Sequence, residues 1–471
     1  MPARVVHLPL DDPELLAGLD RIRDELHVPR AFPADVLAAA KAAAASPRER
    51  RDLRDLELVT VDPAGSRDLD QAFAAQRRGD GYRVHYAIAD VGAFVPDGGP
   101  VDVEAHGRGM TVFLPDARAG LYPPEIAEGA ASLLPEQERP ALCWTIELDG
   151  DGAPTAWRLE AATVRSRRAW SYAEVQAAID AGNAPEPFEL LHTIGALRQD
   201  AERARGGVSL ALPAQELRRT DSAYTLGFDE PRPVEGWNAQ ISLLTGMCAA
   251  TTMVDGGVGI LRTLPPPDER AVGRLRATAR ALGLAWPEHV SYPDLVASLD
   301  PPDPDHVAFL EQAAETLRGA GYHVLGGTER PAPVHGAIAA HYAHVTAPLR
   351  RLADRCANAV LLELSADRAP SDDLRAALAP LPEIMGDAGR RVHQVERAVV
   401  DLAEAIALQG SEGDVVHGVV VDLEKDTARV LIRRPPIVAS LDADGASLGD
   451  EITVRVVRVD ARSRHIEFAR A

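Results

Sequence analysis

The sequence predicts an α+β protein with a small helical N-terminal domain and a C-terminal β-barrel of OB type. Three observations carry this. Apolar residues recur at helical spacing near the start. Strand-like runs and then helical stretches fill the long middle segment, and the chain closes in short alternating strands.

Leu15, Leu16, Leu19, Ile22 and Leu26 share one helical face, behind the capping candidates Asp11 and Asp12. HVPRAFP makes a turn, and Val36, Leu37 and an alanine run follow as a second helix. Two helices about a tight turn are helix-turn-helix-like, although any helical hairpin has this pattern. Residues 1–55 are assigned to this helical domain. From Leu56 the texture changes: LELVTVD, YRVHYAIADV and ALCWTIELDG are strands separated by Gly, Pro and Asp turns. Helical stretches follow at 172–182, 188–205, 238–254, 268–283, 303–320, 346–365, 370–380 and 388–408. They define one domain over 56–410. QGSEGD is a hinge. VVHGVVVDLE, TARVLIRR, EITVRVVRVD and RHIEFARA then give four alternating strands, the OB-type barrel of 411–471.

At 471 residues, two or three domains with sizeable cores are expected. Lys plus Arg is 50 and Asp plus Glu is 71, a formal charge of −21. A generally basic coat for nucleic acid is excluded, but a local basic channel is not. Cys143, Cys248 and Cys356 are too scattered for a disulfide framework or a Cys-rich zinc site. No long apolar run or signal-peptide pattern appears, so a soluble cytoplasmic protein is expected, with no membrane partner. The lysines are Lys41 and Lys425, in AAAKAAA and LEKDT, so neither sits in a phosphate-binding P-loop. Contact with phosphate falls to Arg.

The chemistry begins at TVDPAGSRDLDQ. Asp62 ends a strand, and Asp68 and Asp70 follow past a Pro-Ala-Gly turn. Hard carboxylate oxygens gathered at a strand end suit Mg²⁺, which completes its octahedron with water and substrate phosphate. The spacing alone is weak. An EF-hand counted from Asp68 fails, because Phe73 falls where Gly is required.

The surrounding words are specific. TVDPAGSRDLDQAF, YAIADVGAFV, GRGMTVFLP, LYPPEI and SLLPEQERPALC come in order, followed by GGVSLALP, GILRTLPPPD and HGAIAAHYAHVTAPLRRLADR. The series resembles the ribonuclease II (RNB-domain) family of exoribonucleases over about residues 56–408. That family carries TIDxxxxxDxDDA, HIADV, RGTSVYLP and YTHFTSPIRRYAD segments, and an RNA-binding barrel at its C-terminus. The resemblance implies hydrolytic, processive 3′-to-5′ degradation of single-stranded RNA to nucleoside 5′-monophosphates, with Mg²⁺.

Carried over residue by residue, it makes Asp62, Asp68 and Asp70 metal ligands, with Asp70 the least replaceable. The family's fourth aspartate is Gln71 here, an amide that brings no charge. Arg350, in TAPLRR, matches the arginine that meets the scissile phosphate, so Asp70 and Arg350 are the catalytic candidates. Arg351 is a candidate backbone contact to RNA or a structural arginine, and Asp354 is expected to orient the arginines. Phe113 stands where the family has Tyr and would stack on the terminal base; Tyr224 matches a second clamping aromatic, with core packing as its other reading. Gln240 replaces an acidic residue of the family, and Glu396 matches a family Glu. His335, His341 and His344 lack a zinc-site pattern. The partner is the 3′ end of RNA, acted on by a monomer. Since helices stand where the family commonly has two N-terminal barrels, digestion is expected to extend into a tailed duplex. Two other classes remain open from the sequence: a non-catalytic RNA-binding protein, and a DNA-binding regulator using the N-terminal helices.

Overall fold

The computed structural model describes residues 6–43, 45–46, 48–219, 224–300, 303–326 and 331–471. The chain is α+β. Its centre is a seven-stranded sheet in the spatial order Arg168–Ser171, Val59–Asp62, Gln71–Arg78, Gly81–Ala89, Glu138–Leu148, Pro154–Arg165 and Arg51–Asp52. Gln71–Arg78 and Gly81–Ala89 form a hairpin closed by the pairing of Arg78 with Gly81. The two-residue loop needs a positive φ, which Gly79 supplies at 58°. Gly81–Ala89 is buried along almost its whole length, which is why YRVHYAIA lacks a clean polar face.

Helices Glu186–Ala204 and Pro233–Gly256 pack together beside this sheet. Gly195 lets them approach: a Cβ there would stand 2.7 Å from the Trp237 Cα. One large core joins the sheet to these helices and to Leu352–Ser365. A buried ion pair crosses it. Asp102, on helix Pro100–Arg108, accepts from Arg355 through Oδ1 and from the Gly98 N–H at 2.8 Å through Oδ2. Replacing Asp102 with Asn leaves a buried guanidinium without its counter-charge. Asp102→Asn should therefore lower unfolding free energy by about 3–5 kcal/mol in urea titrations.

The two N-terminal helices are present at Pro13–Glu25 and Ala34–Ala42. Asp12 caps the first, accepting from the Glu14 and Leu15 N–H groups. They dock on different surfaces, which departs from a helix-turn-helix unit with its own core. Leu15, Leu19 and Ile22 lie in a core with Val399, Leu402 and Ile406 of the long helix Leu381–Ala407. Val36 and Ala40 belong to the central core, beside helix Pro100–Arg108. Val6–His7 pairs in parallel with Ala214–Arg219. The first five residues of the segment lie outside the described ones.

The C-terminal unit is a five-stranded, nearly closed sheet, consistent with an OB fold. Its order is Pro436–Asp442, Thr427–Arg433, Val415–Glu424, Glu451–Asp460 and His465–Arg470. Four of these strands are expected from sequence; Pro436–Asp442 is the addition, screened there by the Pro435-Pro436 pair that opens it. Helices Glu269–Ala281 and Pro304–Ala314 cover one side of the barrel, and Arg433 pairs with Asp305 at 2.8 Å. Among the described residues no helix is long and apolar enough to cross a membrane.

Candidate active site

Asp62 ends the strand Val59–Asp62, and the chain turns through Pro63–Gly65 to reach Asp68. Leu69 anchors the return. It is buried in the central core; its N–H donates to Ser132 Oγ at 2.9 Å and its carbonyl accepts from the Leu133 N–H at 3.0 Å. Asp68 and Asp70 flank Leu69 and meet different partners, Arg118 for one and Arg350 with the Leu349 N–H for the other.

Asp70 is 4% exposed. Its Oδ1 accepts the Leu349 N–H at 2.8 Å, and its Oδ2 lies 3.4 Å from Arg350 Nε. Burial pushes its carboxyl up to about 8, against the pull of Arg350 and the Leu349 N–H. Asp62 is raised to about 6, first by burial and then by the charge of Asp68, with Arg350 opposing. Its Oδ2 is buried with no hydrogen-bond partner. Asp68 differs: its Oδ1 accepts Arg118 Nη1 at 2.5 Å. Accordingly, among the described residues no three His, Cys, Asp or Glu side chains converge as a ready-made metal cage.

Arg350 is carried by a turn. The expected helix 346–365 begins only at Leu352, and Thr346–Arg351 is non-helical. Thr111 donates its N–H to the Arg350 carbonyl at 3.0 Å, and Leu352 donates to the Gly109 carbonyl at 3.0 Å. Gly109 is at φ 69°, and a Cβ there would meet Ala388 at 2.7 Å, so the GRGM segment needs glycine at this position. Gln71 Nε2 donates to the Thr346 carbonyl, tying the aspartate loop to the same turn. An aspartate could not make that bond at neutral pH, since a carboxylate has no proton to donate.

The two adjacent arginines separate cleanly. Arg350 has a side chain 48% exposed at the edge of the carboxylates. Arg351 is turned inward, with Nε 2.9 Å from Asp354 Oδ2 and Nη2 2.7 Å from Oδ1. Both arms of the guanidinium close on one carboxylate, which is its structural reading: it braces the turn. Asp354 also accepts the Ala347 N–H at 2.7 Å.

Phe113 is 50% exposed on the short strand Val112–Phe113, directly across from Arg118. The exposed ring thus lies on the strand pair that contacts Asp68. Tyr224 instead donates its hydroxyl to Asp12 and packs against the core of the N-terminal helix, which is its core-packing reading. Gln240 donates to Glu202 at 2.8 Å inside the fold rather than facing a nucleotide. Glu396 lies on helix Leu381–Ala407. His344 accepts or donates at 2.7 Å to Tyr322 and His341 meets the Pro333 carbonyl at 3.0 Å, so the histidines serve separate local contacts.

Sequence reasoning missed Arg118 and Glu128. Arg118 pairs with Asp68 from 50 residues away, and Glu128 holds its other nitrogen. The LPDA turn after Phe113 was the available signal, since it folds Arg118 back beside the ring. A cavity of about 880 Å³ opens elsewhere, between the barrel and helices Pro304–Ala314 and Leu381–Ala407, with Arg318, Arg397, Lys425 and Arg429 among mixed charges on its wall. None of Asp62, Asp68, Asp70 or Arg350 lines it.

The carboxylates of Asp62, Asp68 and Asp70 are hard oxygen donors of the kind Mg²⁺ takes, its remaining positions being filled by water and phosphate: one oxygen of Asp62 has no partner, and Asp70 meets Arg350 at 3.4 Å.

The RNB domain matches residues 50–366, and the RNase II-type exonuclease C-terminal S1 domain matches residues 414–471. The chain is similar to Ribonuclease R of Aquifex aeolicus, 25% identical over 526 residues, covering 99% of this chain and 72% of that protein. It is similar to Ribonuclease R of Escherichia coli strain K12, 26% identical over 480 residues, covering 89% of this chain and 57% of that one. Its fold matches Mycoplasma genitalium RNase R in complex with ribose-methylated single-stranded RNA at a TM-score of 0.84, with 19% identity over 98% of this chain and 78% of the other. The same protein in complex with double-stranded RNA matches at 0.81, with 20% identity over 98% and 84% of the two chains. A yeast pseudonuclease shares the fold at 0.72, with 15% identity over 96% and 59%.

Proposed function

Because this chain belongs to the RNB-domain family of exoribonucleases, we propose that it hydrolyses RNA processively from the 3′ end to nucleoside 5′-monophosphates, using Mg²⁺. The observation that carries the reading is that a half-exposed Arg350 acts on both Asp62 and Asp70, meeting the buried Asp70 at 3.4 Å while one oxygen of Asp62 has no partner. Asp62, Asp68 and Asp70 would hold the metal. When bound, the metal supplies an activated water and stabilises the leaving 3′ oxygen.

The chain's own residues do the rest. Arg350 presents a guanidinium to the scissile phosphate and to charge that grows on it. Leu349 and Gln71 hold that turn against the aspartate loop, so Arg350 and Asp70 keep their spacing. Phe113 offers a ring to the terminal base, and stacking is blind to sequence, as an exonuclease of general substrates requires. We place this activity in the cytoplasm, in a monomer. The deciding assay incubates the protein with uniformly labelled oligo-A. Mononucleotide release that EDTA stops is the expected result. No product from any RNA would leave a non-catalytic RNA-binding protein, the reading that Gln71 and the pseudonuclease likeness favour.

We further propose that the enzyme digests into a hairpin bearing a 3′ single-stranded tail. Two docked helices lie between Pro13 and Ala42, and an RNase R of similar fold has been solved in complex with double-stranded RNA. Removing residues 1–50 would strip Leu15, Leu19 and Ile22 from a shared core, so the full chain is the proper reagent. A tailed duplex and an unstructured strand of equal length should be shortened at comparable rates at one fixed salt concentration. An enzyme that stops several nucleotides before the duplex would refute this.

A further inference from the structure

Of the three carboxylates, Asp68 holds a cation at the shortest distance. Arg118 Nη1 lies 2.5 Å from Asp68 Oδ1, and its Nη2 reaches Glu128 Oε1. All three side chains are mostly buried, so the contacts are weakly screened by water. The position of Arg118 is set independently of Asp68. Its strand pairs with Val112–Phe113, Leu114 and Ala117 close the turn at 2.8 Å, and Asp116 in that turn is gripped by Arg23. Asp62 and Asp70 are held less closely: one oxygen of Asp62 is unpartnered, and Arg350 pairs with Asp70 at 3.4 Å.

We propose that Arg118 is a resident counter-ion of Asp68 that a divalent cation must displace, with Glu128 as the acceptor that keeps Arg118 paired when it lets go. This rests on the reading of Asp62, Asp68 and Asp70 as the metal site. A metal and a guanidinium compete for the same carboxylate, so each weakens the other by the same factor. Glu128 sets how readily Arg118 leaves. A half-buried guanidinium with no partner would be costly, and Glu128 removes that cost by holding the second nitrogen. With Gln71 adding no charge where an acidic ligand would add one, the arrangement lowers metal affinity and makes cation binding sensitive to one arginine.

The opposite signs of two substitutions test it. Binding of Mn²⁺ alone to the full chain, without RNA, is followed by the loss of the free-ion electron paramagnetic resonance signal. Arg118→Gln should tighten Mn²⁺ binding by about tenfold, and Glu128→Gln should weaken it several-fold, because Arg118 then has only Asp68 to hold. In an Asp68→Asn background, Arg118→Gln should change nothing. If Arg118→Gln leaves affinity unchanged, or tightens it equally when Asp68 is replaced by asparagine, Arg118 acts at most as a distant charge and the inference fails while the metal reading stands. If Glu128→Gln tightens binding, the acceptor role fails, and this holds even should Arg118→Gln not fold. Wild-type protein with no Mn²⁺ site sensitive to Asp70→Asn would overturn the metal reading and this inference together.

Discussion

Asp70→Asn should abolish mononucleotide release while leaving RNA affinity close to wild type. The asparagine keeps an oxygen to accept the Leu349 N–H, so the turn that carries Arg350 stays in place. What disappears is the charge. The carboxylate beside Arg350 becomes an amide whose nitrogen cannot serve as a ligand. A loss on the order of 10³-fold or more in single-turnover rate is expected, comparable to removing a central catalytic group. Affinity for RNA comes mainly from contacts along the phosphate backbone, so filter binding should change little or tighten slightly as one negative charge leaves. Stability should not fall, because the amide keeps the Leu349 N–H bond and removes a charge that burial disfavours. An Asp70→Asn variant that still releases mononucleotides at a comparable rate would refute the role.

Arg350→Ala should lower kcat by on the order of 10²–10³-fold and change KM little, the pattern of a group that acts on charge developing in the transition state. Three observations point to Arg350. Its backbone is fixed by Thr111, its guanidinium makes only a 3.4 Å approach to Asp70, and half of its side chain is open to an incoming phosphate. Lysine at this position should recover part of the rate, since it restores the charge without the planar fork. A variant in which KM rises and kcat holds would make Arg350 a clamp on the bound substrate. Arg351→Ala makes the contrasting control. It removes both bonds to Asp354, so it should reduce thermal stability as well as rate.

Much of this was written in short-range pattern. Leu15, Leu19 and Ile22 mark a helix by their spacing, YRVHYAIADV marks a buried strand by its apolar run, and the terminal strands mark a barrel by alternation. The aspartate loop and the TAPLRR turn were legible as words, because the groups that make each one are near neighbours in the chain. The partners of those words were not. Arg350 and Arg351 are identical and adjacent, and only the turn before Leu352 sends one to Asp70 and closes the other on Asp354. Tyr224 finds Asp12 from 212 residues away, and Gln71 finds the Thr346 carbonyl from 275. The N-terminal helices reveal their apolar faces in sequence but not that one would dock on Leu381–Ala407 and the other beside Pro100–Arg108. Periodicity is enforced by backbone geometry within a few residues, so the sequence alone determines element type and the local chemistry of a motif. Which charge meets which carboxylate depends on the packing of distant segments, and so only the tertiary structure decided that Asp68 faces Arg118, that Asp70 meets Arg350 and that one oxygen of Asp62 is left without a partner.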